Sequence, residues 1–195
     1  MKRYLTIILM FALLFAGCKP TPQTTEESPI KTDTVEVVTA LPDTTIWGYL
    51  GEDTGMSTLQ FITDQGDTLE IYRTSQYTGE DGRLLGEVRN LSDRFAITLA
   101  EGGETLLTAI NATQLAQEWD TEDGSIDIKA DGSIESTNLP YNGWKLWNGH
   151  ILLTSQQQRE YGKATRIDTM DIEVLDEDSL IIRSHINQLI SFSKK

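Results

Sequence analysis

The run Trp144-Lys145-Leu146-Trp147-Asn148-Gly149-His150-Ile151-Leu152-Leu153 decides how the rest of this chain is read. Asn-Gly is the strongest two-residue hairpin signal, because both residues accept the positive φ that a tight β-turn demands. Trp147 and His150 therefore close two antiparallel strands. Trp144 shares a phase with Leu146 and turns toward a core, whereas Trp147 shares the opposite phase with Lys145. A lone hairpin is barely stable in water, so neighbouring strands must complete the sheet.

The flanking sequence supplies them. Asp123-Gly124-Ser125-Ile126 recurs as Asp131-Gly132-Ser133-Ile134, and this eight-residue spacing fits one short strand plus one tight turn. Downstream, Asp176-Glu177-Asp178 separates Met170, Ile172 and Val174 from Leu180 and Ile182, and Gln188, Ile190 and Phe192 share a face of the last run. Counting from Leu115 gives about eight strands in 81 residues, which leaves almost no room for crossovers and predicts an up-and-down meander. Closing the meander into a barrel removes its exposed edges. Strands of five or six residues make a wall only about 17–20 Å long. Side chains are therefore expected to fill most of the interior.

Short alternating runs continue toward the N-terminus as far as Thr44. Leu59, Phe61 and Thr63 share one face, Asp64-Gln65-Gly66-Asp67 turns the chain, and Leu69 and Ile71 follow. After a loop with Gly79 and Glu80-Asp81-Gly82, Leu84, Gly86 and Val88 alternate with Leu85, Glu87 and Arg89. Phe95, Ile97 and Leu99 then alternate with Ala96 and Thr98. Period two predicts five or six strands over residues 44–108, as a small barrel or a compact sandwich. Asn111–Gln117 is the one helical patch: Asn111 is placed to cap it, and Gln114 stands three residues on, as in a capping box. Such a short helix is expected to join the halves or to plug one end of a barrel.

Ahead of these strands, Lys19–Asp43 holds four of the five prolines and no sustained apolar pattern, and reads as a flexible tether. Val35, Val37 and Val38 leave room for one short strand there. Before it stand Lys2 and Arg3, then thirteen mostly apolar residues from Tyr4 to Ala16, the layout of a secretory signal. That run is shorter than the roughly 20 residues a membrane-spanning helix needs. Phe15-Ala16-Gly17-Cys18 resembles a lipobox. The resemblance implies removal of residues 1–17 and acylation of Cys18, the sole cysteine. Lys19 follows it in place of the usual inner-membrane retention signal, Asp, so the expected location is the cell envelope, at the outer membrane of a Gram-negative cell. Loss of Lys2 and Arg3 moves the formal charge from −14 to −16. So acidic a surface repels nucleic acid and anionic headgroups, leaving the acyl chains to hold the membrane. With Cys18 consumed no disulfide is possible, and stability must come from packing.

Trp119, the acidic-Gly turn after it and the Trp144–Leu153 stretch resemble the lipocalin-like lipoproteins of Bacteroidetes. Asp168-Thr169-Met170-Asp171-Ile172 and Asp178-Ser179-Leu180-Ile181-Ile182 fit the same pattern. The likeness covers residues 112–195, with Gln117-Glu118-Trp119 standing where lipocalins usually carry Gly-x-Trp. It implies an eight-stranded calycin barrel. Asp-Thr/Ser-aliphatic triplets resemble the O-glycosylation acceptor of envelope proteins from the same bacteria, and Asp33-Thr34-Val35 offers Thr34 in the tether.

Chemistry-bearing residues are sparse. His150 and His185, the only histidines, sit beside predicted turns without the spacing of a catalytic or zinc motif. Asp120, Glu122, Asp123 and Asp127 are close in sequence but lack EF-hand spacing, and Asp-Gly is ordinary turn chemistry, so no metal is expected. No catalytic set and no cofactor motif stands out. Trp119 and Trp144 read as core, while Trp147 and, on the adjoining loop, Tyr141 are candidate contacts for a ligand or partner. The expectation is an all-β chain of two small antiparallel domains, residues 44–110 and 111–195, behind a signal (1–17) and a lipidated tether (18–43). Its expected role is non-catalytic: binding a small molecule, glycan or partner protein, with accessory subunit of an envelope complex as the first alternative and hydrolase as the second.

Overall fold

The computed structural model describes residues 41–160 and 162–195. The signal, Cys18, Thr34 and nearly all of the tether lie outside the described residues. Within them the chain is almost entirely β, in one six-stranded and one eight-stranded sheet.

The first sheet contains β1 (Ile46–Leu50), β2 (Thr58–Thr63), β3 (Thr68–Tyr72), β4 (Arg83–Leu85), β5 (Arg94–Leu99) and β6 (Leu106–Asn111), in the order β3-β2-β1-β5-β6-β4. Alternation works as the sequence predicts: Leu50, Leu59, Phe61, Ile71, Phe95 and Ile97 point to one side and bury there. Strand β4 pairs in parallel with β6 through Arg83–Leu85, and Tyr72 at the end of β3 also bridges Thr105 in parallel. Strands β3 and β4 are thus two pieces of one interrupted strand, both lying along β6. With β1 joined to β2 and β5, the ladder runs round on itself in the connectivity of a small OB-type barrel.

The second sheet contains β7 (Glu118–Thr121), β8 (Gly124–Ile128), β9 (Ile134–Thr137), β10 (Tyr141–Trp147), β11 (His150–Arg159), β12 (Gly162–Leu175), β13 (Ser179–Ser184) and β14 (Leu189–Lys194). Its order, β10-β11-β12-β13-β14-β7-β8-β9, is the predicted meander with the last strand returned to the first. Strands β9 and β10 nearly complete the ring through a Ser133–Gly143 bridge and the Trp144 N–H donating to Gly132 O at 2.8 Å. Trp147 faces His150 across the turn, and Asn148 and Gly149 carry φ of 50° and 83°, the positive values a two-residue hairpin requires. Trp119, Ile126, Leu153, Ile172, Leu180 and Phe192 meet at the barrel axis. Trp119 is wholly buried, and its indole N–H donates to Leu115 O at 3.0 Å. Burial of an indole removes about 150–250 Å² from water, worth roughly 4–6 kcal/mol.

The helix is one turn, α1 (Ala112–Leu115), shorter than the Asn111–Gln117 patch. Asn111 caps it as expected, its side chain accepting from the Gln114 N–H at 2.9 Å. The return bond of a capping box is replaced: Gln114 Oε1 accepts from the Glu87 N–H at 2.7 Å, tying the helix to the loop after β4. Ala112 and Leu115 enter the barrel core, where Leu85, Ala96 and Ile110 of the first sheet join them. Gly86 also reaches the barrel, its N–H donating to Leu175 O at 2.9 Å.

Candidate functional site

Tyr141 is not a loop residue. It opens β10, is 8 % exposed, and belongs to the barrel core. Its phase explains the correction: counted back from Leu146 and Trp144 it should face outward, but the pairing of β10 with β11 shifts register between Tyr141 and Gly143. One extra residue in the strand reverses the parity beyond it. Burial, with the nearby Asp168 carboxylate adding to it and Arg166 opposing, raises the phenol pKa above its ordinary value.

Trp147 lies at the partly buried end of β10, its ring centroid 6.2 Å from that of His150. His150 Nδ1 is 2.6 Å from Asp171, and the other Asp171 oxygen is 3.8 Å from Arg183. These groups form a polar row across β11, β12 and β13 on the outside of the barrel. His185, in the turn after β13, instead helps wall a cavity of ≈520 Å³ with Arg159, Arg166 and Asp168. Among the described residues no three His, Cys, Asp or Glu side chains gather as a metal-holding group. In the acidic turns Asp127 is ion-paired with Lys129, while Asp120 pairs across the strands with Ser193 and Ser125.

A different set of residues converges where the two sheets meet. Trp47 and Tyr49 point away from the core that takes Leu50, and Arg94 of β5 lies directly across from Tyr49. The Arg94 guanidinium sits over the Trp47 indole, 4.8 Å from its centroid, and pairs with Asp64 from the turn after β2. Its backbone N–H donates to Thr113 Oγ1 of α1 at 2.8 Å. From the barrel come Trp144, Lys145 and the β8–β9 turn with Asp131. Together these line a cleft of ≈320 Å³, at the lower end of the range of about 300–1,000 Å³ for small-molecule sites. The Trp144 indole N–H donates to Lys129 O at 2.7 Å, which fixes the ring at the cleft wall. Asp131 accepts from the Ser133 hydroxyl at 2.6 Å and the Ser133 N–H at 2.9 Å, and these bonds hold its pKa below the usual carboxylate value. Beyond Trp47 a second cavity, ≈400 Å³, is walled by Thr45, Asp64, Gln65 and Asp67.

Asn148 is also more than a turn residue. Its side-chain oxygen accepts from the Thr44 N–H at 2.7 Å and the Thr44 hydroxyl at 2.8 Å, and its Nδ2 donates to Pro42 O at 3.0 Å. Lys145, one strand position from Leu146, lies 3.5 Å from Asp43. Partial burial works against the charge on Asp43, but the Thr45 bonds and Lys145 outweigh it and lower its pKa. The segment leading into β1 is thereby clasped to the barrel beside the cleft.

Of the two contact candidates, Trp147 lies away from the cleft and Tyr141 is interior; Trp144 is buried in the barrel core as its phase predicts and also borders the cleft. Sequence reading singles out neither Trp47 nor Arg94. The signal for Trp47 is present in Ile46-Trp47-Gly48-Tyr49-Leu50, where two aromatics share the phase opposite to the aliphatics. Nothing local signals Arg94, which comes to Trp47 only through the pairing of β1 with β5.

Residues 125–195 match the family described as lipocalin-like, and this segment of the chain is lipocalin-like in sequence. A crystal structure of a lipocalin-like protein from Bacteroides thetaiotaomicron is similar over 42 % of this chain and 96 % of that one, at 23 % identity and a TM-score of 0.36. No curated protein matches the chain.

Proposed function

We propose that this protein, lipocalin-like over residues 125–195, is a non-catalytic binding module held to the cell envelope by acyl chains on Cys18. Its binding site is the cleft between the sheets rather than the barrel interior, where Trp119, Leu153, Ile172 and Phe192 occupy the axis. The observation that carries this reading is the convergence of Trp47 from β1, Arg94 from β5 and the neighbouring Trp144 and Lys145 of β10 onto one ≈320 Å³ cleft. Arg94 is held by an indole, a carboxylate and a backbone bond before any ligand arrives, and such preorganisation lowers the entropy cost of binding. A small molecule, a glycan or a protruding part of a partner protein would fit a site of this size.

The anchoring rests on the leader and the lipobox-like Phe15-Ala16-Gly17-Cys18, and Lys19 favours the outer membrane. Several acyl chains, at roughly 0.8 kcal/mol per buried methylene, would make attachment lasting. Labelled palmitate should enter the wild type and not Cys18→Ser, which should leave the particulate fraction. Native mass spectrometry of envelope-purified protein tests the binding role: a retained mass or partner is expected, and Trp47→Ala should release it while the circular dichroism spectrum is kept. A retained species indifferent to Trp47→Ala would place the function outside the cleft.

A further inference from the structure

We propose that the free edge of β12 is a self-association site, where a second copy of this chain adds its own β12 antiparallel across a two-fold axis at Thr165. Strand β12 pairs with β11 from Gly162 to Met170, but β13 meets it only from Met170 onward. Residues 162–169 therefore present an open edge, which no strand covers among the described residues. Consecutive residues 164–169 all line the ≈520 Å³ cavity. Side chains alternate between the two faces of a strand, so a cavity that touches each residue in turn lies along the edge. Ser184, opposite Met170, donates its N–H to Gln188 O at 2.9 Å rather than to β12. Met170 and the even-numbered residues before it thus turn their backbone groups to β11, whereas Lys163, Thr165, Ile167 and Thr169 turn theirs outward. Such an unpaired row is a template for another strand.

The edge complements itself in one register. A two-fold across an antiparallel ladder pairs residues of the same phase, so the axis falls on a residue of the edge. Centred on Thr165, the ladder sets Lys163 against Ile167, Ala164 against Arg166, Gly162 against Asp168 and Thr165 against its own copy. No like charges meet, Thr–Thr is a favourable cross-strand pair, and the Lys163 stem covers Ile167, which is 42 % exposed in the single chain. Centring on Arg166 would oppose two guanidiniums, and centring on Ala164 would leave Ile167 uncovered. Centring on Ile167 would drive residues 162–164 of the incoming strand into the place held by β13. With the axis at Thr165 the incoming ribbon stops at the end of β13, and about six backbone hydrogen bonds form. Charge favours the same place. The formal −14 of the chain keeps two copies apart over most of their surface, whereas residues 156–169 carry three basic side chains against two acidic ones.

The test uses the chain from residue 18 onward with Cys18→Ser, so that introduced cysteines are the only thiols. Sedimentation equilibrium over about a hundredfold range of concentration should show monomer and dimer in exchange. Thr165→Pro removes an outward N–H and no bond of the β11–β12 ladder. It should weaken the dimer at least about tenfold and keep the circular dichroism spectrum. Thr165→Cys should form a disulfide-linked dimer on mild oxidation, since paired Cα atoms of such a ladder lie about 5.5 Å apart, within disulfide reach. Lys163→Cys and Ile167→Cys should each stay monomeric alone and cross-link when mixed. Leu107→Cys, on the first sheet and 52 % exposed, is the control for random collision and should stay monomeric. A chain that is monomeric at every concentration would overturn the proposal, and so would a dimer that Thr165→Pro leaves intact. Cross-linking of Leu107→Cys as fast as Thr165→Cys would overturn the placement, and Lys163→Cys or Ile167→Cys linking to itself would overturn the register.

Discussion

Asn148 combines two duties that substitution can separate. It supplies a positive φ to the hairpin, and its side chain makes three hydrogen bonds to Pro42 and Thr44. Glycine keeps the first and loses the second. Asn148→Gly should therefore cost about 1–2 kcal/mol, since each exposed bond contributes toward the low end of roughly 0.5–1.5 kcal/mol. Alanine loses both, and left-handed backbone adds roughly 1 kcal/mol for a residue with a Cβ. Urea denaturation of both variants should rank them in that order; equal losses would mean that the clasp contributes nothing. Tyr141 gives a second residue-scale prediction, in pH. Burial raises its phenol pKa in the folded state above the ordinary tyrosine value of about 10. The neutral phenol's contribution is then fully present below about pH 10 and is lost as pH rises through the folded value. Urea midpoints from pH 8 to 11 should fall more steeply for the wild type than for Tyr141→Phe, which retains the ring and cannot ionise. Parallel curves would show that the phenol stays wet.

Elements differ in how much of the fold depends on them, and the β11–β12 ribbon is the clearest case. Beyond Ser155 neither β10 nor β13 pairs with it, yet the two strands continue together to Arg159 and Gly162. Its outer residues Gln156–Arg159 are all exposed, so little apolar surface would be lost with it. Replacing residues 157–164 with Asn-Gly, which joins the Gln156–Thr165 pair by a tight turn, should cost less than about 1 kcal/mol and shift Tm by under about 4 °C. A larger loss by scanning calorimetry would show that the ribbon packs on the body. This ribbon also marks the limit of sequence reading. Turns announce themselves chemically, so Asn148-Gly149, the two Asp-Gly turns and Asp176-Glu177-Asp178 locate the barrel strands from the sequence. A strand that runs past its neighbours, or one with an extra residue at Tyr141–Gly143, has the same local composition as one that does not. The break between β3 and β4 is likewise invisible, because only the parallel ladder on β6 makes them one strand. The cleft suffers most: Trp47, Arg94 and Trp144 are distant in sequence, and closure of both sheets is what brings them together.

At the scale of the whole molecule, the barrel core extends into the first sheet, so the two sheets are packed together through shared apolar residues. Strand β5 is buried on both faces because Phe95 and Ile97 fill the first core while Ala96, between them, packs with the barrel residues. Leu85 and Ile110 enter the same barrel cluster. Neither sheet can then unfold without exposing apolar surface on the other, which predicts a single cooperative transition. Tryptophan fluorescence, reporting Trp47 in one sheet and Trp119, Trp144 and Trp147 in the other, should track far-UV circular dichroism through the same urea midpoint. Ala96→Asp probes the seam directly. Ala96 is 3 % exposed, so the new carboxylate would be buried between the sheets, at a cost of roughly 3 kcal/mol or more. Because Ala96 pairs with Trp47 on β1, the same change should also disturb the cleft. Loss of stability and loss of ligand should therefore appear together in Ala96→Asp, whereas two separate transitions in the wild type would show that the halves fold independently and that the cleft lies at a movable joint.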